Sequence, residues 1–268
     1  MKGKLALTLG IFLAMVGSSF PLEAQEKLDG EAIMEKSQIA FFYAGDDMKI
    51  KVFMRLISRE GKERIREMTM LRKDAQRGGE QRYFIYFHQP GDVRGMTFMV
   101  WKYQGRDDDR WLFVPAIDLV KRIAARDKRS SFVGSDFTYE DVSGREVEAD
   151  RHTLLREETM SGKQVYLIES LPKEEAEYTR KLSWIDKGTF LPLKEEYYDQ
   201  QGELYKVFTA GEVREIQGVP TITKRTIQNV KSGHHSEVVF QEVTYNIGLP
   251  DDLFSERYLR RIPQRWIE

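Results

Sequence analysis

From Met48 almost to its end, the sequence keeps a period of two, and this constrains the fold more than any other feature. In "DMKIKVFMRLIS", Met48, Ile50, Val52, Met54 and Leu56 fall on one side, and Lys49, Lys51 and Arg55 on the other, as in a strand with one buried face. "REGK" makes a turn and "ERIREMTMLRKD" the return strand, so the pair reads as a hairpin. After the turn "AQRGGEQ", "RYFIYFHQP" is a third strand ended by Pro90. "GMTFMVWKY", "RWLFVPA", "RHTLLREET", "KQVYLIESL", "TRKLSWID", "TFLPLKEEYYD", "ELYKVFTAGEV", "PTITKRTIQNV" and "SEVVFQEVTYN" continue the series. Their separators, such as "GRDDD", "MSGK", "DKGT" and "IQGV", supply turn residues. The fold class this implies is mainly β (α+β), an antiparallel meander of about eleven strands. A twisted sheet of that width curls or closes.

One long helix precedes the strands. Asp29 can cap it, Ile33, Ser37, Ala40 and Phe41 recur at helical spacing, and Gly45 stops it. "LPDDLFSERYLRR" returns to a short helical turn near the C-terminus. The expected architecture is a strongly curved sheet wrapped around the N-terminal helix. No linker or low-complexity stretch divides the chain.

The first residues read as a secretory signal. Lys2 and Lys4 precede the uncharged apolar run from Leu5 to Val16, and Gly17, Ser18, Ser19, Pro21 and Ala24 follow. The run is too short to span the roughly 30 Å of a bilayer core. Cleavage after Ala24 gives a signal peptide over 1–24 and a mature domain over 25–268, starting at Gln25. Removing Lys2, Lys4 and Glu23 takes the formal charge from −1 to −2, a balance that argues against a general nucleic-acid binder. The chain has no cysteine, which excludes disulfides, thiol ligands and a lipidated N-terminal cysteine.

"RYFIYF" and "GMTFMVW" are apolar on both faces, whereas a sheet with one wet face alternates. Each therefore meets two apolar partners. The second is either a covering helix or loop, or an apolar ligand. Met48, Met54, Met68, Met70, Met96 and Met99 gather in this half, and flexible thioethers suit adaptable apolar surfaces as well as ordinary cores.

"SSFVGSDFTYEDV", residues 130–142, fits neither a clean strand nor a long helix. It sets Phe132, Phe137 and Tyr139 among Asp136, Glu140 and Asp141, directly after the basic run Lys121, Arg122, Arg126, Lys128 and Arg129. That run is either a solvated loop whose charges pair with nearby acids, or a docking surface for anionic headgroups or an acidic partner.

Catalytic and metal constellations do not assemble in the sequence. His88, His152, His234 and His235 are the only histidines, and His234 and His235 are adjacent, so on a strand they face opposite ways. "HExxH", "GxSxG", P-loop and dinucleotide motifs do not occur, and "RDDDR" lacks EF-hand spacing. The expectation is a non-enzymatic protein with no cofactor and no metal.

"PGDVRGMTFMVW", "DDDRWLFVPAIDLVKRIAARDKRSSFVGSDFTYEDV" and "GLPDDLFSERYL" resemble the outer-membrane lipoprotein-sorting family with a LolA-like fold. The resemblance implies periplasmic location and an open, half-closed antiparallel barrel whose short helices lid an apolar cavity for acyl chains. Some members are similar to accessory proteins of lipid exporters of the resistance-nodulation-division class. In that frame Gly134 breaks the preceding strand, and Ser135 or Asp136 caps a short helix. Residues 130–142 become a lid with Phe132, Phe137 and Tyr139 as its rings, Tyr139 toward the rim, and wet carboxylates. Static core packing of the same rings is the alternative. The cavity residues expected from period two are Ile50, Val52, Met54, Met68, Met70, Phe84, Tyr86, Met96, Phe98 and Val100.

Two function classes follow. One is a periplasmic carrier that shields acyl chains of a lipid or lipoprotein, exchanging them with an inner-membrane transporter or an outer-membrane acceptor. The other is a non-enzymatic adaptor subunit of such a transporter that carries nothing, using the basic run and exposed rings as a protein interface.

Overall fold

A computed structural model of the protein describes residues 28–268. The expected signal peptide and its cleavage site lie outside the described residues. Thirteen strands form one antiparallel sheet. They are β1 (Asp47–Ile57), β2 (Glu63–Asp74), β3 (Gln81–Gln89), β4 (Thr97–Lys102), β5 (Asp109–Val114), β6 (Leu119–Ile123), β7 (Asp150–Met160), β8 (Lys163–Pro172), β9 (Arg180–Asp186), β10 (Pro192–Tyr198), β11 (Leu204–Ile216), β12 (Val219–Asn229) and β13 (His235–Tyr245). Two meanders, β1 to β6 and β7 to β13, join where β1 pairs with β13, Met54 opposite Val238. The sheet is curved and open, with β6 and β7 as its two edges.

The strand count exceeds the expected eleven partly through β6, which the sequence reading does not include among its strands. Leu119, Lys121 and Arg122 are exposed and only Ile123 is buried. An edge strand needs no second apolar partner, and charge there discourages pairing with another chain. In β1 the alternation holds as written: Met48, Ile50, Val52, Met54 and Leu56 are buried.

The sheet does not wrap around the N-terminal helix. α1 (Gly30–Phe42) lies toward the β7 end, where Ile33 and Met34 form a small cluster with Val147, Ile168 and Ile185. Asp29 caps it, its carboxylate accepting from the Ala32 N–H at 2.9 Å. The helix starts hard against β7: a Cβ on Gly30 would come within 2.6 Å of the His152 carbonyl oxygen. Its far end is held by β2 and β3. The buried Arg72 guanidinium donates to the carbonyls of Phe42, Ala44 and Gly45, and Gln81 Nε2 donates to Phe42 at 2.8 Å.

The connector between the edges fills the inner face instead. Because β6 and β7 are opposite edges, residues 124–149 must cross the sheet to join them. Their buried rings Phe132, Phe137 and Tyr139 enter the main core with Ile50, Ile85, Phe98 and Val238. On the outer face, Leu249, Leu253, Phe254, Leu259 and Ile267 of the C-terminal segment cover Leu71, Phe84, Met99, Trp111 and Phe113. Thr97 Oγ1 and Trp101 Nε1 anchor that cover by donating to the carbonyls of Leu259 and Phe254, both at 2.8 Å. This explains why β3 and β4 read as apolar on both sides.

Candidate functional site

The connector leaves the inner face incompletely filled. Between it, the end of α1 and the sheet lies a chamber with about 870 Å³ of atom-free space, part of it open to solvent. Val52, Met54, Met68 and Met70 line it, with Phe41, Phe240 and Tyr245. A second, more polar chamber of about 920 Å³, also partly open, adjoins it and is lined by Glu140, Arg145, His152, Lys181 and Glu195 among others. Phe41, Phe42, Phe137, Asp141 and Arg225 border both.

The ten cavity candidates divide three ways. Val52, Met54, Met68 and Met70 line the first chamber. Ile50, Met96, Phe98 and Val100 share the inner face but are buried in the core away from it. The Phe98 ring meets Phe132 edge-on at 5.2 Å and Tyr139 at 5.3 Å. Phe84 and Tyr86 are corrections: they face outward, against the C-terminal segment. In β3 both parities are apolar, so alternation could not distinguish Tyr83, Ile85 and Phe87 inside from Phe84 and Tyr86 outside.

The 130–142 segment is built differently from the expectation. Its helix, α2 (Tyr139–Ser143), is capped by Thr138 rather than Ser135 or Asp136. Thr138 Oγ1 accepts from the Asp141 N–H at 3.1 Å, and Asp141 Oδ2 accepts from the Thr138 N–H at 2.7 Å, a reciprocal capping box. Gly144 ends the helix at positive φ, and a Cβ there would meet the Phe42 ring at 2.8 Å. The buried Lys102 ammonium donates to the carbonyls of Ser143 and Gly144 at 3.1 and 2.7 Å.

Nor do the acids stay wet. Asp136 Oδ2 accepts from Ser236 Oγ at 2.7 Å and lies 2.7 Å from His234 Nδ1. Asp141 and Glu177 share the buried Lys206 ammonium at 3.1 and 2.9 Å. Burial alone would lower the Lys206 pKa, but the two carboxylates outweigh it and hold it above the ordinary lysine value. Tyr139 is buried rather than at the rim, and burial pushes its hydroxyl pKa up. The trio Asp136, His234 and Ser236 does not form a nucleophile relay, because the carboxylate, not the imidazole, receives the serine hydroxyl.

The basic run is largely neutralised. Arg122 pairs with Asp109, Lys128 with Asp107 at 3.1 Å and Glu140 at 3.6 Å, and Arg129 with Glu175 at 3.1 Å. Lys121 is exposed, and Arg126 is 88 % exposed with only a 3.9 Å contact to its neighbour Asp127. Beside them Ile117 and Leu119 are exposed apolar residues.

Arg225 on β12 escaped the sequence reading. Lys224 faces out while Arg225 and Ile227 turn in, but register shifts around Glu212 in β11 obscure the parity of this strand. The residue is half-buried, because the chamber opens beside it, and its Nε is wholly buried with no hydrogen-bond partner. The guanidinium sits over the Phe240 ring at 4.4 Å, with Phe41 at 5.5 Å and Phe137 at 6.0 Å. Burial brings its pKa down to about 10, so it stays a cation at neutral pH. A desolvated cation–π contact returns about 2 kcal/mol, less than the several kcal/mol lost on dehydrating an ion.

A model of a family described as an uncharacterized protein matches residues 79–261. An outer membrane lipoprotein-sorting protein domain from Vibrio parahaemolyticus superposes with a TM-score of 0.80 at 29% identity, covering 87% of this chain and 98% of that one. A DUF1329 family protein from Desulfovibrio piger gives 0.78 at 29% identity, over 85% and 95% of the two chains. A LolA superfamily protein from Nitrosomonas europaea shares the fold, with a TM-score of 0.68 at 22% identity over 87% and 100%. No curated protein matches the chain. With a family model matched over well over half its length, and with these structures as neighbours, the chain belongs to the family that this model describes, which is LolA-like.

Proposed function

We propose that the protein is a periplasmic carrier that shields acyl chains of a lipid or lipoprotein in the apolar chamber for transfer across the envelope. One observation carries this reading: a partly open, mainly apolar chamber lined by four methionines, Met48, Met54, Met68 and Met70, roofed by a segment that crosses from one sheet edge to the other. Burying hydrocarbon stabilises by about 0.8 kcal/mol per methylene, so a chain of about twelve carbons supplies affinity without any catalytic group. The name of the Vibrio parahaemolyticus relative and the leader read in residues 1–24 support location and cargo class. Binding of a fluorescent fatty-acid probe to purified protein, displaced by unlabelled lipid, tests the reading. A folded protein that binds no amphiphile but captures a membrane transporter would favour the adaptor instead.

Handing cargo on requires contact with a membrane or acceptor. We assign that contact to the β6 edge and the turn after it, where exposed Lys121 and Arg126 lie near exposed Ile117 and Leu119. Charge reversal of Lys121 and Arg126 is expected to weaken salt-dependent binding to anionic vesicles, by about 1 kcal/mol per basic residue, while probe affinity stays unchanged. Unaltered vesicle binding would return the run to a solvated edge.

A further inference from the structure

The two chambers are bordered by many charged side chains, and all but one are matched. Asp141 and Glu177 hold Lys206, Arg145 lies between Glu140 and Asp150, Lys181 pairs with Glu195 at 3.2 Å, and Arg72 meets Asp74 at 3.6 Å. Arg225 has no such partner among the described residues. The nearby Asp141 is already committed to Lys206 and to the Thr138 N–H. Ring faces recover only part of the hydration that this half-buried guanidinium loses, and its wholly buried Nε has no hydrogen-bond partner.

Position makes the excess charge informative. Arg225 stands where the apolar chamber meets the polar one, beside Phe41 and Phe137, which border both. An amphiphile has the same two-part character: a chain that leaves water and a head that keeps its charge. We infer that Arg225 receives the anionic head, a carboxylate or phosphate, of an amphiphile whose acyl chain lies in the apolar chamber; the inference rests on the carrier reading above. The guanidinium presents a planar fork that suits either oxyanion. The cargo is then a singly or doubly charged acyl anion rather than a neutral glyceride or wax.

The test compares laurate with 1-dodecanol, which share a chain length and differ in the head, at a pH where laurate is ionised. Each displaces a neutral fluorescent probe from the wild type, Arg225→Met and Arg225→Lys. A charge-assisted hydrogen bond in such a site corresponds to about 10- to 100-fold in affinity. Wild type should bind laurate at least about tenfold tighter than dodecanol on that scale. Arg225→Met should lose that preference, the ratio of laurate to dodecanol affinity falling to about one, and Arg225→Lys should recover part of it. Dodecanol binding itself reports that a variant has folded. If Arg225→Met does not fold, the wild-type preference decides: equal affinities overturn the inference and leave the carrier reading intact. Failure of the wild type to bind either ligand contradicts the carrier reading itself. Inorganic phosphate should not displace laurate at concentrations near the laurate Kd. Displacement there would assign Arg225 to a free anion and overturn the lipid-head assignment.

Discussion

Asp136 Oδ2 lies 2.7 Å from His234 Nδ1, and this contact ties the segment that roofs the chamber to the turn before β13. The tie is strengthened by Ser236, whose hydroxyl donates to the same oxygen while accepting from the Asp136 N–H at 2.9 Å. If this roof opens to admit cargo, it must break these bonds, and weakening them should then speed exchange. Asp136→Ala should cost about 1–3 kcal/mol of stability and speed the release of a bound fatty-acid probe. Stopped-flow release measured beside urea unfolding checks both. Lower stability with unchanged release would show that the roof does not gate the chamber.

The two phenylalanines of the roof have different neighbours and should behave differently. Phe132 also lines the apolar chamber, but it is locked among Phe87, Phe98 and Tyr139 at 5.9, 5.2 and 5.7 Å. Phe137 borders both chambers. Replacing either by Ala should cost about 3–5 kcal/mol. Only Phe137→Ala should also accelerate probe release, because it removes a ring that competes with cargo and opens one chamber into the other. Equal release rates for the two variants would make both rings static packing.

Acid should weaken the fold through His152. The ring is buried, its Nε2–H donating to the Val147 carbonyl at 2.9 Å and its Nδ1 lying 2.8 Å from Ser170 Oγ. Burial holds its pKa below the ordinary histidine value. The unfolded chain therefore takes up a proton before the folded one does. The stabilisation from the neutral ring is full above about pH 6.5 and is lost as pH falls from there toward the depressed folded value, by about 1.4 kcal/mol per unit of depression. His88 is shifted the same way, again chiefly by burial. Urea midpoints followed from pH 7.5 to 5 should fall, and His152→Gln should flatten part of the slope; an unchanged slope in the variant would remove His152 as a source.

The succession of strands along the chain, one buried face of β1 and the capped first helix are legible because local rules act alone there. Met48 to Leu56 alternate against a wet face, and Asp29 reaches a backbone N–H three residues on. Legibility fails where tertiary neighbours decide. Phe84 and Phe98 are both apolar and both fully buried, yet one meets the C-terminal segment and the other the roof. The β1–β13 pairing brings together residues from opposite ends of the sheet, such as Met54 and Val238, and no local pattern records it. Arg225 is hidden by the irregular register of β11 and β12. The odd composition of residues 130–142 has a topological cause: a connector between opposite edges needs rings to fill the inner face and polar groups to fasten itself across it.

The most direct test of the account is what the protein carries. Wild type and Met54→Asp, purified without detergent from the periplasm of an expressing host, would be weighed by native mass spectrometry before and after solvent extraction. Met54 lines the chamber and is buried, and an unpaired carboxylate there would lose several kcal/mol of solvation. A carrier should give a wild-type adduct that extraction removes and that fragments as an acyl-bearing anion, absent from the folded variant. A folded wild type that is empty as isolated and takes up no added acyl lipid would contradict it.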